Sequence, residues 1–324
     1  MSVCLAAWTL VAWAALHVGS TSGFRVPTEP LLRSLRIERV LQASVVGAAL
    51  AGAGVAFQAV LRNALADPYL LGITSGAALG SYLWRLPLIA TAMAGLHPAL
   101  AGVSQQSCAF VGGLLAAIAV LGVAGWRGRL EPTVLVLVGV ILSTIVGSIL
   151  LLLQILVKSQ PGFGSFQGLL IGELVTLLPW QLPVGAIVCG LCAIELMRRA
   201  GRLNLTSLSD DEARTLGLRL HRERFIVMGV ASLLTATAVA LSGPIGFVGL
   251  ICPHLARLIV GSDNRRLLPA SMVAGAALLT AADALSRYLS ATNRLNDTLP
   301  VGIITSLLGG PFFLLLLLRR RTAA

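Results

Sequence analysis

Long stretches without a charged side chain are the feature that most restricts how this chain can fold. Residues 133–157 include no Asp, Glu, Lys or Arg and are almost entirely apolar. A helix of about 20 such residues crosses the roughly 30 Å hydrocarbon core of a bilayer and satisfies its own backbone polar groups there. Charged residues make up 11% of the 324-residue chain, against about 25% in soluble domains. The sequence therefore predicts an all-α, polytopic membrane protein and excludes an ordinary soluble enzyme.

Ten membrane-spanning segments are predicted along the chain. Region 86–126 has no charged residue and leaves an additional crossing near 87–103 open, although the polar residues between His97 and Ser107 favour a turn. The ten predicted spans lie near 3–19, 40–61, 68–90, 105–125, 133–157, 178–197, 225–242, 244–260, 267–286 and 299–318.

The arginines predict the orientation of these spans. The net charge is +11, and Lys158 is the one lysine among 24 basic residues. Loops rich in arginine stay in the cytoplasm, so both termini are expected there. This charge is assigned to topology and to anionic lipid headgroups, not to nucleic acid. The arginine-rich loops and tail are 126–131, 198–224, 257–266 and 319–321.

One outward loop departs from this charge pattern. Loop 20–39 carries Arg25, Arg33, Arg36 and Arg39 on the side that the other loops predict to be external. Arginines on the wrong side of a membrane require a specific role, because the general rule places them in the cytoplasm.

Small residues at four-residue spacing predict close contacts between helices. Such spacing places them on one helical face, where a second backbone can approach. The two sets are Gly72, Gly76 and Gly80 in the third span and Ala43, Gly47 and Ala51 in the second.

Residues 242–249 interrupt an apolar stretch that runs from Phe225 to Ala256. The interruption contains Gly243, Pro244 and Gly246, and proline removes a backbone donor while glycine loosens a helix. Broken helices line cavities or gates in transporters. A broken helix of this kind and a plain tight turn between two spans both remain open.

The chain has few residues suited to catalysis, metal binding or ion coupling. Intramembrane carboxylates, the usual marker of ion-driven transport, are scarce, and His254 has no second ligand at metal spacing. The five cysteines lie in apolar segments and are interpreted as small buried residues. Lys158 follows Val157 and not a glycine, which excludes a phosphate-binding G-x-x-x-x-G-K-[ST] loop. We expect no catalytic residue, metal or cofactor in this chain, and active transport would need a separate ATPase.

The longest cytoplasmic loop, 198–224, contains a predicted helix. Ser209 and the acidic residues that follow suit a helix N-terminus, and Gly217 suits the end of the helix. A short, capped and exposed helix is therefore predicted as a docking surface, with a solvated charged loop as the alternative.

Several motifs together make the chain resemble the FecCD family of ABC importer permeases. The segment from Gln58 to Gly72 is similar to the family stretch Q-x-x-x-R-N-P-L-A-x-P-x-x-L-G, and 243–254 matches its G-P-I-G-F-V-G-L-I-C-P-H stretch. Further matches are Arg36-Ile37-Glu38-Arg39, Leu268-Pro269, Ala282-Asp283 with Arg287, Pro300-Val301-Gly302 and Gly310-Pro311-Phe312-Phe313.

The resemblance implies the fold and the partners of the chain. It implies one permease domain over 1–324 of the type II importer class, with about ten helices and a coupling loop at about 198–224. It also implies a second permease copy or a paralogue, two cytoplasmic ATPases that bind ATP and Mg, and an external binding protein. The implied location is the bacterial cytoplasmic membrane.

The resemblance also assigns roles to individual residues. Coupling to the ATPase falls on Ser209, Asp210, Asp211, Glu212, Ala213, Arg214, Leu216 and Gly217. Docking of the binding protein falls on Arg36, Arg39 and Arg287. The pathway and gate fall on Thr133, Gly243, Pro244, Gly246, Pro300 and Gly302.

The expected function is passage of an iron chelate, haem or cobalamin across the membrane, driven by a separate ATPase. The alternative is a stand-alone secondary transporter or channel, which the scarcity of intramembrane carboxylates disfavours. The sequence leaves open which cargo is carried and whether the partner permease is identical.

Overall fold

Long helices dominate the structure, a computed structural model that describes residues 2–19, 23–24, 29–86, 104–126, 130–157, 171–175, 177–292 and 299–321. Two-residue strands β1 and β2 pair in antiparallel register, with Val18 opposite Phe24. The elements are α1 (Ser2–His17), β1 (Val18–Gly19), β2 (Gly23–Phe24), α2 (Pro30–Leu61), a 3-10 turn (Pro68–Leu71), α3 (Ile73–Arg85), α4 (Gln105–Gly125), α5 (Pro132–Val157), α6 (Gln181–Thr206), α7 (Asp210–Thr215), α8 (Leu220–Ser242), α9 (Val248–Val260), α10 (Asn264–Thr292) and α11 (Val301–Arg321).

A helix occupies each of the ten predicted spans. Six of these helices, α2, α4, α5, α6, α8 and α10, are long and apolar enough to cross a membrane, and α1, α9 and α11 contain shorter apolar segments. Helix α2 begins at Pro30, ten residues before the predicted span, because residues 30–39, which carry Arg33, Arg36 and Arg39, extend the helix beyond its charge-free part. The possible crossing at 87–103 lies outside the described residues.

The third span was predicted to be one continuous helix from residue 68, and this is wrong at its start. Residues 68–71 form a 3-10 turn in which the Asp67 carboxylate accepts a hydrogen bond from the Tyr69 amide. Gly72 then adopts φ +69° and α3 begins after it. Gly72 therefore makes a turn and does not belong to the predicted small face, because left-handed backbone at this point ends one element and starts the next.

Close backbone contacts hold the remaining small faces together, as the spacing predicted. A Cβ atom on Gly47 of α2 would lie 2.2 Å from the Gly275 carbonyl oxygen of α10. In α3, Cβ atoms on Gly76 and Gly80 would lie 2.5 and 2.2 Å from carbonyl oxygens of α4. Small residues give such helices van der Waals contact where lipid provides no hydrophobic driving force between them.

Helix α2 lies at the centre of the bundle. It packs against α8, α9 and α10, and fully buried residues such as Ala49, Ala53 and Phe57 run along it. Helix α5 is different, since Leu137, Ile141 and other apolar side chains along it are exposed. The single chain therefore leaves the apolar surface of α5 to lipid or to another protein surface.

We expect Gly47→Ala to destabilise the bundle by about 1–3 kcal/mol, because an added methyl group collides with backbone that cannot rotate away. Denaturation of the purified chain in mixed detergent micelles measures this effect. Gly190→Ala in α6 is the matched control, because a Cβ atom there meets nothing within 4 Å. Equal stability of the two variants would contradict the proposed backbone contact.

Candidate functional site

Helix α7 has the cap that its sequence predicts. The Ser209 hydroxyl accepts a hydrogen bond from the Glu212 amide at 3.3 Å, and the Glu212 carboxylate accepts one from the Ser209 amide at 3.0 Å. This reciprocal pair satisfies two amides at the start of the helix. At its end, the amide of Gly217, which has φ +79°, donates to the Arg214 carbonyl at 2.9 Å. The predicted short capped helix is confirmed.

Two arginines anchor α7 to the bundle. The Asp210 carboxylate accepts hydrogen bonds from Arg62 at 2.6 Å and from Arg224 at 2.7 Å. Arg62 follows α2 and also donates to the Thr206 carbonyl at 3.0 Å. Ala213 lies on the buried face of α7 and is fully buried. The hydrogen bond from Arg224, followed by that from Arg62, lowers the pKa of Asp210 below its ordinary value. Asp210 therefore stays ionised at neutral pH and holds α7 against the ends of α2 and α8.

The opposite face of α7 is free for a partner. The Asp211 side chain is 96% exposed and its nearest cation, Arg214, lies 3.9 Å away. Leu216 is 60% exposed beside these charges. An exposed leucine close to exposed acidic and basic residues forms a surface that another protein can cover. Asp210, Ala213 and the capping pair of Ser209 and Glu212 instead stabilise the helix and its attachment to the chain.

The interruption after α8 is a break in the helix and not a surface turn. Residues 243–247 are non-helical, with φ +67° at Gly243 and +69° at Phe247, yet Ile245 is 1% exposed. Buried unpaired backbone groups are costly in a membrane. The Pro244 carbonyl accepts a hydrogen bond from the Gly172 amide at 2.9 Å. Another segment of the chain therefore provides a partner for one of the non-helical backbone groups.

Three segments meet at this break, which we call the junction (171–173, 243–247 and 299–302); the first two are non-helical, and the third leads into the first turn of α11. The Ser242 carbonyl accepts from the Glu173 amide at 2.8 Å, and the Gly172 carbonyl accepts from the Gly302 amide at 2.9 Å. The junction admits no side chain at Gly172, where a Cβ atom would lie 2.5 Å from the Pro244 oxygen. The structure thus brings the predicted gate residues Gly243, Pro244, Pro300 and Gly302 together.

Tyr69 fastens the junction, a role that sequence reasoning missed. Its hydroxyl donates to the Ile245 carbonyl at 2.5 Å and accepts from the Ile245 amide at 2.7 Å. Nothing in the sequence pairs two residues 176 positions apart.

Thr133 does not join the predicted gate residues at the junction, since it is exposed at the start of α5. A cavity of about 310 Å³ borders the junction and is lined by Ser81, Arg85, Gln105, Glu173, Gly243 and Pro244 among others.

Two of the predicted docking arginines, Arg39 and Arg287, converge on one buried carboxylate. Arg39 and Arg287 each place Nε 2.9 Å from an oxygen of Asp283, whose side chain is 1% exposed. Arg287 also donates to the Val18 carbonyl at 2.5 Å, and Arg36 donates to the Leu16 carbonyl at 3.0 Å. Cations near the last carbonyls of a helix are stabilising, so these two contacts secure the end of α1.

Exposure separates the three predicted docking residues. Arg287 is 3% exposed and faces Asp283 and Val18 inside the chain. The Arg39 side chain is 24% exposed, and Arg36 is also partly exposed. A second protein that approaches this surface meets Arg36 and Arg39 before it meets Arg287.

Within the described ranges, no group of three or more His, Cys, Asp or Glu side chains is placed to hold a metal ion. The expected absence of a metal or cofactor stays a prediction.

Comparison with known proteins gives matches along nearly the whole chain. The FecCD transport family matches residues 1–319. The cobalamin import system permease protein BtuC of Halobacterium salinarum is 36% identical over 318 residues, which cover 96% of this chain and 81% of that protein. The hemin transport system permease protein HmuU of Yersinia pestis is 38% identical over 291 residues, 89% of this chain and 83% of that protein.

A solved structure supports the same fold. It shows an inward-facing conformation of a metal-chelate type ABC transporter and superposes with a TM-score of 0.82 at 30% identity. The match covers 98% of this chain and 97% of that one. The helical bundle, the junction and the capped helix α7 thus lie within a chain that is similar to known transporter subunits over nearly its whole length.

Loss of the Tyr69 hydroxyl should loosen the junction. In Tyr69→Phe we expect amide hydrogen exchange at residues 243–248 to accelerate about thirtyfold, because two buried hydrogen bonds are lost at roughly 1 kcal/mol each. Exchange is measured by mass spectrometry in detergent micelles. Tyr288→Phe, at a tyrosine that is 46% exposed, is the control. Unchanged exchange in Tyr69→Phe would contradict the fastening role.

Proposed function

We infer that this chain, which belongs to the FecCD transport family, is the membrane permease subunit of an ABC importer whose cargo is an iron chelate, haem or cobalamin. The relatives named for cobalamin and hemin support this range of cargo. The range covers large ligands with different chemistry. We therefore propose that an external binding protein selects the cargo, while this chain provides passage and carries out no chemistry.

The observation that carries the proposal is the cytoplasmic helix α7. It is rigid because of its caps and its double anchor through Asp210, and it presents Asp211 and Leu216 to the solvent. A helix that is fixed to the bundle and bare on its other face can transmit movement of a partner. We propose that an ATPase subunit docks there, and that ATP and Mg are bound by that subunit and not by this chain.

The anchor explains how force would reach the membrane part. Arg62 follows α2, and Arg224 belongs to α8. Asp210 binds both. A displacement of α7 is therefore passed to the central helix and to the helix that precedes the junction. We propose that closure of two ATPase subunits shifts the pair of permeases between outward-open and inward-open states in this way.

The translocation pathway is proposed to run between two permease copies. Helices α5 and α11 expose apolar residues such as Val140, Leu151 and Leu307, which a second copy or a paralogue would cover in part. Thr133 begins the exposed surface of α5. Pro300 precedes α11, and the amide of Gly302 in the first turn of α11 binds the Gly172 carbonyl. The junction, including Gly246, is the proposed gate.

The outer surface is proposed to receive the binding protein. Arg36 and Arg39 provide partly exposed positive charge, and Arg287 positions Arg39 through Asp283, which both arginines bind. Acidic residues of a partner would complement this surface. The chain is a multi-pass membrane protein, and we propose the bacterial cytoplasmic membrane with both termini in the cytoplasm. This orientation places α7 beside the ATPases and Arg36 outside.

Asp211→Arg should impair coupling and spare the fold. Asp211 lies on the exposed side of α7, so the substitution reverses charge on the proposed ATPase contact. We expect ATPase assembly or transport per ATP hydrolysed to fall at least about tenfold in proteoliposomes that contain the complete importer. Ser262→Arg adds charge at another exposed cytoplasmic position and should behave like the unmodified chain. Normal coupled uptake by Asp211→Arg would contradict the proposal, and uptake by the chain without any ATPase would establish the secondary transporter.

Arg36→Glu should weaken docking of the binding protein. Charge reversal at this site should raise the Kd about tenfold and reduce its dependence on salt, because electrostatic attraction is screened at high ionic strength. Arg36→Gln is the matched variant, since it removes the contact with Leu16 without introducing a repulsive charge, and its effect should be smaller. Binding is measured to the complete importer in nanodiscs. Unchanged affinity and salt dependence in Arg36→Glu would remove Arg36 from the docking surface.

A further inference from the structure

A basic pocket on the cytoplasmic side lies next to α7, between the starts of α5 and α8. It has a volume of about 500 Å³, which is within the range of small-ligand sites. We propose that this pocket binds a phosphate group, and that its source is the headgroup of an anionic lipid. Its lining includes Asp210, Arg214, Arg219, His221, Arg222 and Arg224.

The pocket carries more positive than negative charge. Four arginines line it, against the carboxylates of Asp210 and Glu131. Asp210 is already engaged by Arg62 and Arg224. Arg219 and Arg222 are exposed and form no ion pair with any residue that the structure describes. Two guanidinium groups are thus available to a further anion.

Arg224 adds an independent indication of a missing anion. It is 4% exposed, and its Nε has no hydrogen-bond partner among the described residues. Its Nη2 donates to Asp210 at 2.7 Å, whereas its contact with the Leu130 carbonyl is long, at 3.4 Å. A buried donor without a partner is costly, and a phosphate oxygen in the pocket would satisfy it.

The surroundings favour a lipid as the source of the phosphate. Helix α5 leads from the pocket into the membrane, and it exposes Val134, Leu137 and Ile141. These residues are three and four positions apart, so they share one helical face. An acyl chain can lie along this apolar face while its headgroup occupies the basic pocket. Basic pockets beside membrane helices on the cytoplasmic side are suited to anionic headgroups.

Occupancy would stabilise the α7 anchor. Arg224 contacts Asp210 of α7 and also lines the pocket, so a bound phosphate would fix the arginine that holds α7. We therefore expect the segment 207–224 to open less often when the site is occupied. This inference concerns the chain itself and does not depend on the identity of the cargo.

The test measures hydrogen exchange of 207–224 in the full chain. The chain is reconstituted in phosphatidylcholine nanodiscs, with and without phosphatidylglycerol, and inorganic phosphate is added in a separate arm. Phosphatidylglycerol should slow exchange about tenfold, since charge-assisted hydrogen bonds are worth more than neutral ones. Arg219→Gln combined with Arg222→Gln should lose this protection. Arg198→Gln combined with Arg266→Gln is the control with the same net charge, at exposed cytoplasmic arginines outside the pocket.

Each outcome has a defined meaning. Protection by phosphatidylglycerol that the pocket variant loses and the control variant keeps supports the lipid site. The same pattern with inorganic phosphate alone supports a phosphate site that is filled from solution. Protection in neither arm, or equal loss in both variants, overturns the proposal. Protection that appears only after an ATPase subunit is added also overturns it and assigns the arginines to that interface. Native mass spectrometry of bound lipid gives a second measurement on the same variants.

Discussion

Direct contact between helix backbones at α2 is the constraint on which the other elements depend. Gly47 meets the backbone of Gly275 in α10, and Gly54 meets that of Gly249 in α9, with no space for a Cβ atom at either position. Apolar side chains gain little by leaving lipid for protein, so close packing has to supply the cohesion. These contacts fix α9 and α10 against the central helix, and the segment before α9 is the junction. The position of the candidate gate therefore follows from the packing of α2.

The same helix links the two charged clusters. Arg39 lies in the N-terminal third of α2 and binds Asp283, while Arg62 follows the C-terminal end of α2 and binds Asp210. The two arginines are 23 positions apart, which corresponds to about 34 Å of helix. Each carboxylate also takes a second arginine, Arg287 or Arg224. Charges are scarce in this chain because they are costly in lipid. Those that remain fasten the two ends of the bundle and adjoin its two proposed docking surfaces.

Predictions that depend on neighbouring residues succeeded. The cap and the end of α7 follow from the spacing of Ser209, Glu212 and Gly217, because capping involves residues three positions apart. Apolar length gave the positions of the ten spans. The start of the third span was predicted wrongly, since the periodicity of Gly72, Gly76 and Gly80 concealed a turn at Gly72. A spacing of four is compatible with a helix but does not require one.

The sequence by itself determined the class of the protein, the approximate limits of the ten predicted spans that the described helices occupy, and the short capped helix α7. These properties follow from apolar length and from contacts within a few positions along the chain. Tertiary structure alone decided that Arg287 is buried, that Tyr69 fastens the junction and that Asp210 joins α2 to α8. Each of these contacts joins different elements of the fold. The two partners of each contact are far apart in the sequence, so no local pattern of residues identifies one from the other.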